Sequence, residues 1–180
     1  MRDLLDTQLS DAGLNEATHI VMSIGGNDLL QNISFLQMTS KLSEVMDKDA
    51  RIGKWGVREL NPSRNKVFEE TYFEIIKPFN SLYETIVEKL SNYRAKLLLC
   101  TVYEGDLFGS DEFKNVFYSS KTMVSIFNDL VYKSSSKFKT DVLELRNIFV
   151  SSEDYANPIE PSHIGGEKLA KSIVEWVNNG

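Results

Sequence analysis

Apolar residues along the chain form short continuous runs that alternate with longer stretches of helical spacing. Three of the runs have the length of buried strands, and they cover residues 19–24, 95–103 and 140–145. Continuous apolar strands are typical of parallel sheets that helices cover on both faces, whereas half-exposed strands alternate strictly. The alternation of strands and helices therefore predicts an α/β fold built on a parallel sheet.

Apolar residues spaced three and four apart predict the helices that lie between these strands. The helical patterns cover residues 2–13, 33–46, 67–90 and 123–131, and a last helix is expected to start near Gly165. Pro78 lies inside the third of these patterns, where we expect it to kink or split the helix. Residues 48–65 contain two glycines and a proline and predict a long loop.

Composition fits a single domain over residues 1–180, because 42% of the residues are hydrophobic and 26% are charged. The net charge of −6 and the scattered Lys and Arg residues argue against a nucleic-acid partner. No apolar run approaches the ~20 residues of a membrane-spanning helix, so we expect no transmembrane segment. The first residues are too acidic for a signal peptide. A cytoplasmic location is compatible with these features.

Few side chains in the sequence suit a metal ion or a disulfide. Two His and one Cys argue against a tetrahedral metal site, and nothing in the sequence indicates an organic cofactor. Cys100 has no second cysteine to pair with, and we expect it to be a small buried hydrophobic residue. His19 begins the first strand, where we expect it to pack or cap rather than to catalyse.

Glycine and small polar residues follow the first strand at its carboxyl end, where parallel α/β sheets bind their ligands. Gly25 and Gly26 would let the backbone approach a ligand closely, and the amide of Asn27 would donate to a developing oxyanion. A plain turn explains the same residue types, since Gly and Asn tolerate positive φ. Residues 103–106 and 146–163 follow the other two strands, so we expect three loops to converge at one edge.

Two segments resemble conserved blocks of the SGNH, or GDSL-type, ester hydrolases. SIGGND, at residues 23–28, resembles the family's Gly-x-Asn-Asp block. NPIEPSHIGGEKLA, at residues 157–170, resembles its final block, Asp-x-x-His-Pro-Ser/Asn-x-x-Gly. Segments 100–105, 127–131 and 142–146 match in order, so the resemblance covers nearly the whole chain.

The resemblance implies a three-layer sandwich with a flavodoxin-like parallel sheet, and acyl transfer from an ester to water. In that chemistry a Ser attacks the ester carbonyl, a His takes its proton and an Asp orients the His. Asn27 matches the family's oxyanion asparagine. Gly25, Gly26 and Asp28 would then line the site for a small-molecule or lipid-like ester substrate.

The family's nucleophile lies in a Gly-Asp-Ser block after its first strand, and this chain contains no Gly-Asp-Ser. The resemblance therefore aligns the chain with the fold lacking its first two strands, so the nucleophile would come from an upstream segment or another chain. Three interpretations follow from this departure. The chain is part of an ester hydrolase, an inactive binding or scaffold module of the same fold, or a truncated fragment.

The final block aligns in two registers. In the first, Pro161, Ser162 and Gly165 stay in frame, Glu160 occupies the position of the catalytic His, and Asn157 occupies that of the orienting Asp. In the second register, His163 is the base, but Pro161, Ser162 and Gly165 no longer align with the family's final block. We favour the first register. Because an ordinary Glu has a pKa near 4.3, desolvation would have to raise the pKa of Glu160 for it to accept a proton from a hydroxyl.

Overall fold

The structure is a computed structural model that describes residues 1, 9, 12–31, 76–105 and 114–179. Its strands are β1 (His19–Met22), β2 (Lys96–Cys100) and β3 (Asp141–Leu143). Its α-helices are α1 (Gly26–Gln31), α2 (Lys77–Ser91), α3 (Lys114–Phe138) and α4 (His163–Asn179). Short 3-10 helices cover Ala12–Asn15, Leu145–Asn147 and Ser152–Asp154.

The three strands form a parallel sheet in the order β1-β2-β3. β1 pairs with β2 from His19 opposite Lys96 onward, and β2 pairs with β3 from Leu98 opposite Asp141 onward. Each parallel connection contains a helix, which is the usual crossover between parallel strands. The prediction of an α/β fold with a parallel sheet is confirmed.

The described helices α2, α3 and α4 pack against the two faces of this sheet. Leu97 and Leu99 of β2 belong to the larger buried cluster, which also contains core residues of α2 and α3. Cys100 belongs to a second cluster, which includes Leu145 and receives Leu169 of α4. Because successive side chains of a strand point to opposite faces, α2 and α3 cover one face and α4 the other.

Helix α4 runs along its face of the sheet from the carboxyl ends of the strands to their amino ends. Near its end, the indole N–H of Trp176 donates to a carboxylate oxygen of Asp141, the first residue of β3, at 2.8 Å. The Trp176 ring also meets His19, the first residue of β1, edge to face at a centroid distance of 5.2 Å. The expectation that His19 has a packing role is confirmed.

Some element boundaries differ from those predicted. α4 begins at His163 rather than near Gly165, because the Ser162 hydroxyl accepts the Gly165 N–H and so caps the helix. Pro78 lies in the first turn of α2, where its missing N–H costs no hydrogen bond. The predicted helix 33–46, the loop 48–65, most of the helix 2–13 and the start of the pattern 67–90 lie outside the described residues.

Candidate functional site

Loops that follow the three strands adjoin at the carboxyl edge of the sheet. A Cβ placed on Gly26, after β1, would lie 3.9 Å from Cγ1 of Val102, after β2. The Tyr103 hydroxyl, also after β2, donates to the backbone carbonyl of Ile159, in the long loop after β3, at 2.9 Å. The loops after β2 and β3 are therefore joined by a hydrogen bond, and the segment after β1 lies beside Val102 at the same edge.

Gly25 has a conformation and an environment that accept only glycine. Its φ is +105°, and a Cβ at this position would collide with the ring of Phe127 on α3. Gly26 has no such restriction, since its surroundings leave ordinary contact distance for a Cβ. The first glycine thus allows the chain to leave β1 and enter α1 directly over the core.

Asn27 and Asp28 lie in the first turn of α1. The Asn27 side chain is exposed. Asp28 is half-buried, and its carboxylate accepts hydrogen bonds from the Met1 ammonium group at 3.0 and 3.3 Å. Asp28 is therefore already engaged by another part of the chain.

Asn157 and Glu160 contact each other directly. The Nδ2 group of Asn157 donates to Oε2 of Glu160 at 2.7 Å. Oδ1 of Asn157 accepts the backbone N–H groups of Ile159 and Glu160 at 3.0 and 2.9 Å. Asn157 therefore orients both the carboxylate and the backbone of Glu160, which is the relation that the first register assigns to these positions.

The loop that carries this pair closes on itself. The Ala156 N–H donates to the Glu160 carbonyl at 2.8 Å, and Tyr155 forms an antiparallel bridge with Pro161. We call residues 155–161 the rim loop. The Glu160 side chain at its surface is exposed, so burial does not desolvate its carboxylate in this structure.

His163, the base of the second register, is the first residue of α4 and is exposed. Within the described ranges, no hydrogen bond joins Asn27 to Glu160 or His163 to either of them. The structure therefore brings Asn157 and Glu160 together, and it places Asn27 and His163 on elements that start at the same edge of the sheet.

Tyr103 is a contributor to this edge that sequence analysis did not single out. Its ring packs against Phe149 and Tyr155 at centroid distances of 4.6 and 5.7 Å, and its hydroxyl reaches the rim loop. Burial raises the pKa of Tyr103 above 10.0, and the nearby Glu160 carboxylate raises it further. The one sequence feature that could have identified Tyr103 is its position just after a buried strand.

Asn128 is a second contributor, and it lies in the middle of α3. It is 1% exposed, and its amide replaces a strand partner for Val102, two residues after the end of β2. Oδ1 accepts the Val102 N–H and Nδ2 donates to the Val102 carbonyl, both at 2.8 Å. Asn128 thus fixes the backbone immediately before Tyr103.

Glu144 forms a charged cluster at the end of β3. Its carboxylate accepts hydrogen bonds from Thr101 at 2.9 Å and Tyr132 at 2.6 Å, and from the Arg146 guanidinium at 2.8 and 2.6 Å. Burial alone would raise the pKa of Glu144, but these donors outweigh it and lower the pKa to about 2. The cluster ties the ends of β2 and β3 to α3.

Asp154 is fully buried beneath the rim loop and is paired with Lys168 of α4. Its carboxylate accepts the backbone N–H groups of Val150 and Ser151 at 3.0 Å and the Lys168 ammonium at 2.6 Å. Burial opposes ionisation, but these hydrogen bonds outweigh it and hold the pKa of Asp154 below its ordinary value. The pair anchors the start of α4 to the loop.

Other candidate side chains have structural roles. Cys100 is buried, as predicted, and burial raises the pKa of its thiol to about 11, so it remains protonated near neutral pH.

Among the described residues, no group of three or more His, Cys, Asp or Glu side chains could hold a metal ion. Within the same ranges, no helix has the length and apolar character needed to cross a membrane.

Comparison with known proteins identifies no relative of this chain. No family model, no curated protein and no solved structure matches it.

Proposed function

We propose that this chain belongs with SGNH-type ester hydrolases and takes part in transfer of an acyl group from a carboxylic ester to water. One observation carries the proposal, which is that Asn157 binds and orients Glu160 in a loop at the carboxyl edge of a parallel sheet. These are the two positions that the sequence resemblance assigns to the orienting residue and the base.

The order of the strands supports the same assignment. A flavodoxin-like sheet has the strand order 2-1-3-4-5, and its third, fourth and fifth strands are consecutive neighbours. The described strands pair in the consecutive parallel order β1-β2-β3. This is the order that the last three strands of a three-layer, flavodoxin-like sandwich would have, and it supports the proposal.

In the proposed reaction, a serine hydroxyl attacks the ester carbonyl and gives its proton to Glu160. Asn157 holds the Glu160 carboxylate in place, and the exposed amide of Asn27 donates to the oxygen that becomes negative. Collapse of the tetrahedral intermediate releases the alcohol, which recovers the proton, and water then hydrolyses the acyl-enzyme. No Gly-Asp-Ser marks the nucleophile among the 180 residues, so the experiment must identify the serine.

The test uses the full natural chain, p-nitrophenyl esters of short and long acids, and a fluorophosphonate probe that labels activated serines. We expect ester hydrolysis, and peptide mapping should identify one labelled serine. Asn27→Ala should lower kcat by about 10²-fold or more, as loss of one oxyanion donor does. A folded protein that neither hydrolyses the esters nor reacts with the probe would overturn the proposal.

Two further variants decide between the alternative bases. Glu160→Gln should lower kcat by about 10²-fold or more, which is the usual contribution of a general base, and His163→Ala should leave it nearly unchanged. The reverse result would assign the base to His163 and reject the first register.

A binding or scaffold module of the same fold is the second candidate. It is favoured by the exposed Glu160 carboxylate and by the absence, within the described ranges, of a hydrogen bond from Asn27 to Glu160. Lack of both hydrolysis and serine labelling in a cooperatively folded protein is the outcome that this function predicts.

A further inference from the structure

The geometry points to Tyr103 as a positioning residue that holds the Asn157–Glu160 pair over the end of β2. This inference deepens the proposed function and rests on it for its catalytic meaning. The structural part of the inference, which concerns the orientation of Glu160, can be tested without any activity.

A short series of contacts leads from the sheet to the Glu160 carboxylate. The Asn128 amide holds the backbone of Val102, the residue before Tyr103. The Tyr103 hydroxyl donates to the Ile159 carbonyl at 2.9 Å. The Ile159 N–H in turn donates to Asn157, which binds Glu160. Only one side-chain hydroxyl, that of Tyr103, joins this part of the rim loop to the end of β2 within the described residues.

The Tyr103 ring is itself held in place, which a positioning residue requires. Phe149 and Tyr155 pack against it, with interplanar angles of 35° and 60°. The charge of Glu160 contributes to the raised pKa of Tyr103, which is a sign that the two side chains are close. A fixed ring therefore presents its hydroxyl to the rim loop at a constant position.

Tyr155 provides a matched control in the same aromatic cluster. Its hydroxyl donates to the Phe149 carbonyl at 3.4 Å. Tyr103→Phe and Tyr155→Phe each remove one hydroxyl and keep the ring. A general weakening of the cluster affects both variants, whereas a positioning role of Tyr103 affects the Asn157–Glu160 pair only in the first.

The experiment follows the Asn157 side-chain NH₂ signals by ¹⁵N NMR at pH 7. Glu160→Gln removes the charged acceptor of this NH₂ group, so it should shift the signals and accelerate exchange of their protons. Tyr103→Phe should shift the signals in the same direction and accelerate exchange of these amide protons about fivefold, the fold-change for one neutral hydrogen bond. Tyr155→Phe should leave both quantities at their original values.

Thermal unfolding and circular dichroism of each variant establish that it is folded. If Tyr103→Phe is folded and its Asn157 signals are the same as those of the unmodified protein, or if Tyr155→Phe changes them equally, the positioning role is refuted.

Ester hydrolysis separates this inference from the proposed function. If the chain hydrolyses esters, Tyr103→Phe should lower kcat about fivefold with little change in KM, which is the result expected of a residue that acts through Glu160. Altered Asn157 signals in a protein without hydrolysis would uphold the positioning role and reject the proposed function. Unaltered signals in an active enzyme would do the opposite.

Discussion

The Asn128 side chain binds both backbone groups of Val102, although the two residues lie on different elements and 26 positions apart. A side-chain amide can both donate and accept in this paired geometry. It therefore extends the hydrogen bonding of β2 beyond the end of the strand and fixes the point where the chain leaves the sheet.

Replacement of Asn128 should destabilise the fold strongly. Asn128→Ala leaves the N–H and carbonyl of Val102 without partners beside a buried cavity, so we expect the free energy of unfolding to fall by about 3 kcal/mol. Urea denaturation measures this change. Asp129→Ala, at the exposed neighbouring position, is the control and should change little. Equal effects of the two variants would show that the Asn128–Val102 pairing does not stabilise the fold.

Gly25 and Gly26 should respond differently to the same substitution. Gly25→Ala combines a positive φ with a collision against Phe127, and we expect it to cost about 3 kcal/mol of unfolding free energy. Gly26→Ala adds a methyl group at ordinary contact distance in a helix, where alanine is favoured, and should be neutral or slightly stabilising. Thermal unfolding of both proteins tests the difference, and a Gly25→Ala variant as stable as Gly26→Ala would contradict the described backbone.

Glu144 should make stability depend on pH in the acid range. Its pKa in the folded protein is about 2, below its ordinary value of 4.5, so its stabilising contribution is fully present above pH 4.5 and is lost as the pH falls towards 2. Glu144→Gln should therefore lower the unfolding free energy at pH 7 by on the order of 1–2 kcal/mol, after allowance for solvent screening. The difference between the two proteins should shrink at pH 3.

Urea denaturation at pH 7, 4 and 3 provides the measurement for Glu144. Glu167→Gln, at an exposed position on α4, is the matched control and should show no comparable pH-dependent difference. If the stability lost in Glu144→Gln is the same at all three pH values, the cluster with Arg146 and Tyr132 does not depress the pKa.

Asp154 and Lys168 should contribute unequally, although they form one ion pair. Asp154→Ala leaves the N–H groups of Val150 and Ser151 and the Lys168 ammonium without their acceptor, and we expect a loss of about 3 kcal/mol. Lys168→Met should cost about 1 kcal/mol, because the lysine is 44% exposed and Asp154 keeps its two backbone donors. Glu153→Ala, at the exposed neighbouring position, is the control.

The measurement is the unfolding free energy of the three variants and of the unmodified protein at pH 7. A Lys168→Met variant that loses as much stability as Asp154→Ala would show that the ion pair, rather than the backbone hydrogen bonds, makes the main contribution.

The sequence predicted the three strands well because buried parallel strands are continuous apolar runs. Their ends were less predictable, since Leu145 is as apolar as a strand residue but enters a 3-10 helix that the Glu144 side chain caps. The start of α4 was missed by two residues because Ser162 caps it. These boundaries depend on individual side-chain hydrogen bonds, which hydrophobic periodicity does not detect.

The candidate site was partly predictable for a related reason. Asn157 and Glu160 lie three residues apart, so their contact is local and follows from a short loop. Tyr103, Asn128 and Asp154 act through partners that lie from 14 to 56 positions away, apart from the local backbone donors of Asp154. Their roles become visible only when the helices are packed on the sheet.

The course of α4 along the sheet has a practical consequence for spectroscopy. A helix of 17 residues is roughly 25 Å long, so Trp176 lies far from the rim loop at the other end. The sequence contains one other tryptophan, Trp55. In a Trp55→Phe background, indole fluorescence would therefore report the docking of α4 on His19 and Asp141 and stay insensitive to ligands at the opposite edge.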